Sequence, residues 1–376
     1  MRELRIAIIG GGFMGRAHSL AYSLADIADD LGVKLIKELL VDDNPAVASA
    51  SGEALGWRQS STDWHEAVNR PDIDIIDICT PPQFHAPIAI AALKAGKHVL
   101  CEKPISNNAA EAISMCEEAR RAGVVTQVGF NYRHTPAVAF ARKLLDEGKL
   151  GVPLEFRASY LQEGSFYADP DRWRARRATG GSGTVGDIGS HIIDVSEYLL
   201  GDIKQVAALV RTLEPQEKAG WVKNASEDEL DDAGVWVAEY ADGTIGSFAV
   251  SSAASGRKNR YYYALDCTKG AVEFDWNRRE EFRVSYVDEA KDHLGFRTIH
   301  TNNLHPGGWW RLAGLGTGYP DVSAIQIQGF VRAIVSGGVA RPGFADATHT
   351  QQVVDAIHQA ARERSWVEVP PRQRGC

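Results

Sequence analysis

Cysteine and methionine are scarce in this chain, with 5 Cys and 3 Met among 376 residues. Cys79, Cys101, Cys116, Cys267 and Cys376 are odd in number and form no Cys-x-x-Cys pair. Cys79 and Cys101 lie within apolar strand-like runs, where a buried free thiol is the usual state, so the sequence predicts a chain free of disulfides. Positive charge is also short. The 41 Lys+Arg against 49 Asp+Glu leave a formal charge of −8, which lacks the basic excess that phosphate-backbone binding draws on, so nucleic acid is excluded as a partner. No apolar run approaches the roughly 18–20 residues of a membrane helix, so no membrane partner is expected. The opening residues run directly into Ile6-Ala7-Ile8-Ile9-Gly10, without the apolar stretch and small-residue cleavage site of a secretory signal, and a cytoplasmic protein is expected. Neither a metal site nor a serine nucleophile is foreseen. His293, His300 and His305 have no Cys or carboxylate partner at ligand spacing, and Ser182 and Ser190 sit in no nucleophile elbow.

At roughly 100–200 residues per domain the length predicts two or three domains, and the texture changes once. Residues 1–130 alternate short apolar runs (Leu4–Ile9, Leu35–Val41, Ile73–Thr80, His98–Glu102, Val124–Phe130) with helical patterns such as Met14–Ala28, Phe84–Ala95 and Ala109–Ala122. That alternation predicts an α/β Rossmann domain with a parallel sheet and crossover helices. In residues 131–376, strand-like segments follow one another instead: Leu154–Tyr160, Val206–Leu213, Ala233–Tyr240, Thr244–Ser252, Tyr261–Cys267, Ala271–Trp276 and Phe282–Tyr286. With helices expected at Thr184–Leu200, Ala324–Val335 and Thr348–Arg364, this half reads as an α+β domain on a largely antiparallel open sheet, bearing substrate and oligomer contacts. Glu227–Asp232 is acidic but short and reads as a solvated loop.

Gly10-Gly11-Gly12-Phe13-Met14-Gly15 fits G-x-G-x-x-G between a strand and a helix. There Gly10 makes a tight turn, Gly12 admits a pyrophosphate to the backbone and Gly15 lets helix and strand pack closely. The following helix N-terminus, with Phe13 and Met14 in its first turn, offers unpaired N–H groups to phosphate. The second strand ends at Asp42, whose carboxylate suits ribose hydroxyls and repels a 2′-phosphate. No Arg or Lys follows before Arg58, so NAD is favoured over NADP. Asp42 lies farther past Gly15 than the typical spacing of about 20 residues, which implies an insertion in the first crossover.

Three segments carry candidate chemistry. Thr80-Pro81-Pro82-Gln83-Phe84-His85 follows the third apolar run, at the carboxyl end of a strand, where loops line the ligand crevice; Thr80, Pro81 and His85 are cofactor candidates. Glu102-Lys103-Pro104 ends the next strand, and Lys103 reads either as an ordinary strand-end lysine or as a proton-transfer group beside a nicotinamide. In a helix from Thr184, residues Asp187, His191, Asp194 and Tyr198 share one face, with Asp187 placed to hold the His191 imidazole. A solvated stripe is the alternative. Gln162, Trp173 and Arg174 precede that helix and His305 lies by a Gly-rich loop; all four are substrate candidates.

Together Gly-x-Gly-x-x-Gly, Glu102-Lys103-Pro104 and Asp187-x-x-x-His191-x-x-Asp194 resemble the glucose–fructose oxidoreductase, inositol dehydrogenase and MocA family. Trp173-Arg174 and Gly129-Phe130-Asn131-Tyr132-Arg133 add to the likeness. The resemblance implies Lys103, Asp187 and His191 as the catalytic group, Asn131 and Glu102 at the cofactor, Tyr132 and Asp194 at the substrate, and a cis bond before Pro104. It implies an NAD-dependent dehydrogenase oxidising a secondary hydroxyl of a sugar (an anhydrosugar or pyranoside) or a cyclitol, acting as a homo-oligomer, dimer or tetramer. The alternatives on the same scaffold are an inositol dehydrogenase or ketosugar reductase, a glycoside-cleaving enzyme that uses NAD transiently, and a non-catalytic NAD-binding regulator.

Overall fold

The computed structural model describes residues 2–28, 30–166, 180–213 and 230–373. The chain forms two compact units, one of Met1–Asn131 with Gly318–Thr348 and one of Tyr132–Thr317 with His349–Arg372.

The first unit is a six-stranded parallel sheet in the order β3-β2-β1-β4-β5-β6. Its strands are β1 (Arg2–Ile9), β2 (Val33–Val41), β3 (Gln59–Ser61), β4 (Ile75–Ile78), β5 (His98–Cys101) and β6 (Thr126–Val128). Strand order reverses between β1 and β4, the switch point outside which such sheets bind ligands. Ile9 pairs with Ile78, Ile78 with Cys101 and Cys101 with Val128. The last residues of four strands therefore lie level along one edge. Burial explains the near-continuous apolar runs: Ile6, Ile8, Ile75, Ile76, Ile78, Val99 and Val128 are all inaccessible to water, as expected of strands covered on both faces. The helices on this sheet include α1 (Phe13–Ala28), α2 (Pro45–Leu55), α3 (Trp64–Asn69) and α4 (His85–Lys94). α2 begins at an Asn44 cap whose side chain accepts from the Ala46 and Val47 amides, and it ends at Gly56 with φ 73°. The returning helix Tyr319–Ser336 lies against α1, and the Gln328 side chain donates to the Ala25 carbonyl (3.4 Å).

The second unit is a nine-stranded sheet in the order β14-β13-β12-β11-β7-β10-β9-β8-β15, with β12 at Gly270–Asp275, β13 at Glu281–Tyr286, β14 at Arg297–His300 and β15 at Val367–Glu368. Its central strands are β7 (Pro153–Leu161), β8 (Ile203–Arg211), β9 (Ala233–Tyr240), β10 (Ile245–Ser251) and β11 (Arg260–Cys267). Every pairing is antiparallel except β7 with β10. Burial alternates along β7 and β9, with one face on the core and the other facing out.

Three findings depart from the sequence reading. The expected helix Thr184–Leu200 is two pieces, a π turn (Val185–Gly189) and then an α-helix (Ser190–Leu200). The glycines explain the wider turn: a Cβ on Gly186 would lie 1.9 Å from Ser182 Oγ, and Gly183 holds φ +64° against Asp231. Asp231 and Asp232, expected on a solvated loop, are buried. Asp231 Oδ2 accepts the Val185 amide (2.8 Å), and Asp232 accepts from Ser165 Oγ (2.9 Å) and the Leu213 amide (3.0 Å). Finally, Cys116 is disulfide-bonded, which corrects the expectation of free thiols throughout; Cys79, Cys101 and Cys267 are free. Spacing along the chain says nothing about which thiols meet in space. Among the described residues no helix is long and apolar enough to cross a membrane.

Candidate active site

In the nucleotide unit close backbone contacts require two glycines of the turn, Gly10 and Gly15. Gly10 has φ +106°, and a Cβ there would sit 2.6 Å from the Cys79 carbonyl oxygen; one on Gly15 would lie 1.9 Å from the Gly10 oxygen. Around Gly12 there is open space, which is the access a pyrophosphate needs. The Gly10 amide donates to Val41 O (2.7 Å) and the Gly11 amide to Asp42 Oδ2 (2.8 Å). The turn and the Asp42 carboxylate are therefore built as one piece. Phe13 is 74% exposed beside the turn. Tyr319 stacks on it at 6.4 Å, and its hydroxyl points at Met14 Sδ (3.6 Å).

Along the same edge stand Thr80 after β4, Glu102 and Lys103 after β5, and Asn131 after β6. Thr80 Oγ1 and Asn131 Oδ1 are buried without a hydrogen-bond partner, and Asn131 Nδ2 donates to Ser323 Oγ (3.2 Å). Two orphaned polar atoms at strand ends, together with a turn that a Cβ would fill, fit a dinucleotide. Pro81 opens the short turn that leads into α4. The Lys103–Pro104 bond is cis. His85, expected at the cofactor, meets backbone on both sides of its ring. It is wholly buried, its Nδ1 lies 2.9 Å from Pro104 O and its Nε2 2.8 Å from Thr80 O. With both ring nitrogens on backbone carbonyls, it ties the β4 loop to the Lys103-Pro104 segment. Burial lowers its pKa despite those carbonyls.

Beneath this edge lies a buried charged cluster. His18 on α1 has Nδ1 2.9 Å from Asp77 Oδ2 and Nε2 3.1 Å from Glu102 Oε1. His18, Asp77 and Cys79 have donor atoms close enough to hold a metal, as do Glu197, Asp202 and His349 in the other unit. In both places hydrogen bonds and ion pairs occupy the donors.

In the second unit His191 opens the helix Ser190–Leu200 and is buried, and Asp187 stands in the π turn before it. The Tyr132 ring meets His191 edge-on at 4.7 Å and stacks flat on Tyr261 at 4.7 Å. Its hydroxyl lies 2.8 Å from that of Tyr160, which donates to Asn259 Oδ1 (2.8 Å), while Asn259 Nδ2 donates back to Tyr132 (3.1 Å). Gln162 Nε2 also donates to Asn259 Oδ1 (2.6 Å). Hydroxyl and amide groups thus cluster beside the histidine, a chemistry suited to reading polyol hydroxyls. Burial raises the Tyr132 pKa although Tyr160 and Asn259 oppose it, so the phenol stays neutral.

Asp194, expected at the substrate, is engaged within the protein. It is buried and holds Arg133 in a two-point ion pair, Nε to Oδ2 at 2.9 Å and Nη2 to Oδ1, with the guanidinium 5.0 Å from the Tyr198 ring centre. His305 is bound locally, Nδ1 3.1 Å from Asn302 Oδ1 and its ring edge-on to Phe140 at 4.8 Å. Trp173 and Arg174 lie outside the described residues. Four residues that are not among the sequence's site candidates join these groups: His18 and Asp77 beside Glu102, Tyr160 and Asn259 beside the histidine. Asp77 carried a signal, a single charge within Ile75-Ile76-Asp77-Ile78; Asn259 carried none.

A dinucleotide turn with a strand-end lysine, in one chain with a buried histidine among hydroxyl groups, is the equipment of a nucleotide-dependent oxidoreductase. The chain belongs to the glucose–fructose oxidoreductase, inositol dehydrogenase and MocA (GFO/IDH/MocA) family: residues 4–130 match its oxidoreductase domain with an NAD-binding Rossmann fold, and residues 138–273 its C-terminal domain. It is similar to the levoglucosan dehydrogenase of Pseudarthrobacter phenanthrenivorans, 37% identical with 98% of this chain and 99% of that protein covered. A D-apiose dehydrogenase of Paraburkholderia graminis is 29% identical over 98% and 90%. Among solved structures, a levoglucosan dehydrogenase in complex with NADH and levoglucosan superposes with a TM-score of 0.93, at 37% identity over 98% of this chain and 100% of that one.

Proposed function

We propose that this protein is an NAD-dependent dehydrogenase that oxidises a secondary hydroxyl of a sugar, with a levoglucosan-like anhydrosugar or pyranoside ahead of a cyclitol. The observation that carries the reading is the hydroxyl-and-amide cluster of Tyr132, Tyr160, Gln162 and Asn259 beside His191. Near-full-length likeness to a levoglucosan dehydrogenase supports the choice of sugar. His191, with Asp187 four residues earlier, takes the proton of the reacting hydroxyl; Lys103 donates a hydrogen bond to the same oxygen and steadies its developing charge. NAD, when bound, supplies the acceptor for the carbinol hydride. Gly10, Gly12, Gly15 and the amides of Phe13 and Met14 hold the pyrophosphate, Asp42 the ribose hydroxyls, and Thr80 and Asn131 offer their unpartnered oxygens.

A homo-oligomer and a cytoplasmic location belong to the same reading. Leu209, Val235, Val237 and Ile245 are about half exposed on neighbouring strands of the open sheet, an apolar row suited to cover by a second copy. Sedimentation of the purified protein tests this, and a monomer at micromolar concentration refutes it. The functional test is absorbance of reduced nicotinamide with NAD or NADP against levoglucosan, glucose, galactose, myo-inositol and scyllo-inositol. Turnover with NAD and levoglucosan is expected. NAD binding without reduction of NAD by any panel member would overturn the reading in favour of a ketosugar reductase or a redox-neutral glycoside cleavage.

A further inference from the structure

A histidine fully enclosed in a Rossmann core is an unusual expenditure, because a buried ionisable group must be paired or neutralised. His18 is paired twice. Its Nδ1 faces both oxygens of Asp77 (3.1 and 2.9 Å) on β4, and its Nε2 faces Glu102 Oε1 (3.1 Å) just past β5. The side chains of all three are 6% exposed or less. Two carboxylates accept at both ring nitrogens, so both nitrogens carry hydrogen and the ring is an imidazolium. The other charged or titratable groups around it are Tyr22 on α1, Cys79 after β4 and Cys101 on β5. Burial alone would lower the His18 pKa; Asp77 and Cys79 outweigh it and raise it well above the ordinary value.

The second oxygen of Glu102 gives the cluster a direction. Oε2 accepts the main-chain amide of Lys103 (3.2 Å) while Oε1 is held by His18. Glu102 also donates its own amide to Ile78 O (2.8 Å). Gly129, after β6, leaves the space this carboxylate fills, since a Cβ there would lie 2.2 Å from Oε1. One carboxylate therefore joins the backbone of Lys103 to a cation on the helix that begins at the glycine turn.

We infer that His18 is a positioning residue for the reaction: through Glu102 it fixes the main chain at Lys103, so that the helix receiving the nucleotide and the strand end bearing the lysine are held in one register. This rests on Lys103 acting in catalysis, as proposed above. A displacement of about 1 Å in a catalytic group costs up to about 100-fold in rate, which sets the scale of the effect.

The experiment is a double-mutant cycle on the full-length enzyme with NAD and levoglucosan, using His18→Gln, Lys103→Ala and the pair. His18→Gln should lower kcat by about 10- to 100-fold with the sugar KM and the NAD Kd, from fluorescence titration, changed less than about three-fold. In the pair the His18 change should add nothing to the loss from Lys103→Ala. Independent costs, multiplying in the pair, would overturn the inference, as would a wild-type kcat in His18→Gln while Lys103→Ala is crippled. Wild-type kcat in Lys103→Ala would instead overturn the reading beneath it. Where His18→Gln does not fold, Glu102→Gln takes its place in the cycle with the same two outcomes. Nitrogen-15 NMR of labelled histidine gives a readout apart from turnover. Both His18 ring nitrogens should be protonated at pH 7.5, and a neutral ring would refute the clamp.

Discussion

Both halves of this molecule bury charge, and they use it differently. In the nucleotide half the enclosed charges sit under strand ends and lead to Lys103 within one hydrogen-bond step. In the sheet half they fasten helices. Arg133 and Asp194 tie the segment after β6 to the helix Ser190–Leu200. Glu197 of that helix takes His349 Nδ1 (2.5 Å) and Thr350 Oγ1 (3.3 Å), with Arg372 3.6 Å away. On the proposed mechanism, buried ion pairs point to function only where their chain of bonds ends at a reacting group, and the comparison can be broken by separating activity from stability.

The largest effects should fall on turnover. Lys103→Ala and His191→Ala should each lower kcat by about 10²- to 10⁴-fold, with melting temperature within a few degrees of wild type by differential scanning fluorimetry. Asp194→Ala should show the reverse. It leaves the Arg133 guanidinium buried and unpaired, a loss of about 3–5 kcal/mol in urea unfolding. If Asp194→Ala kept its stability and lost only sugar affinity, Asp194 would be the substrate contact that the family resemblance implies, and the two halves would not differ in this way. Asn259→Ala, which removes the amide shared by two tyrosine hydroxyls, should cost about 1–2 kcal/mol of sugar binding, roughly a ten-fold rise in KM. Asp42→Ala should narrow the preference for NAD over NADP by about ten-fold in kcat/KM, close to 1.4 kcal/mol.

The smallest effect is the pH dependence of the Glu197–His349 pair. Burial pushes the Glu197 pKa up, but His349 and Arg372 bring it below its ordinary value; burial lowers that of His349, and Glu197 raises it above. The carboxylate's contribution is present above its unfolded pKa of about 4.3 and is lost as pH falls through the lower folded value. The imidazolium's contribution is complete below about pH 6.5 and is lost as pH rises through the higher folded value. The gap in melting temperature between wild type and Glu197→Gln should therefore be widest near about pH 5.5 and shrink towards alkaline pH. A constant gap would mean that the pair does not titrate with folding.

The legible parts of the sequence were those with a period or a local contact rule. β1, β2 and β5 could be placed because both faces are covered, and the turn Gly10–Gly15 because Gly10 and Gly15 answer close approaches and Gly12 leaves open space along a short stretch of chain. Asp42 was legible as the end of a strand. Short polar edge strands such as β3 and Arg297–His300 carry too few apolar residues to announce themselves. The π turn was hidden because the spacing of Asp187 and His191 suits an α-helix equally well, and only the Ser182–Gly186 approach reveals the difference. The partners of Asp194 and His85 were not legible because a buried group distant in sequence, Arg133 or Pro104, cannot be seen from a residue's own neighbourhood. The hydroxyl cluster escaped for the same reason: Tyr132, Tyr160 and Asn259 come from three separate segments.

The return of Gly318–Thr348 to the first unit bears on how the protein is made. When Asn131 leaves the ribosome every strand of the parallel sheet has been synthesised, yet the helix that lies against α1 is still roughly 190 residues away. At 5–20 residues per second that is a wait of about 10–40 s, with the outer face of α1 bare and the Ala25 carbonyl without Gln328. The nucleotide half is first to be translated and among the last to close, and a fragment cut after Asn131 would remain in that waiting state.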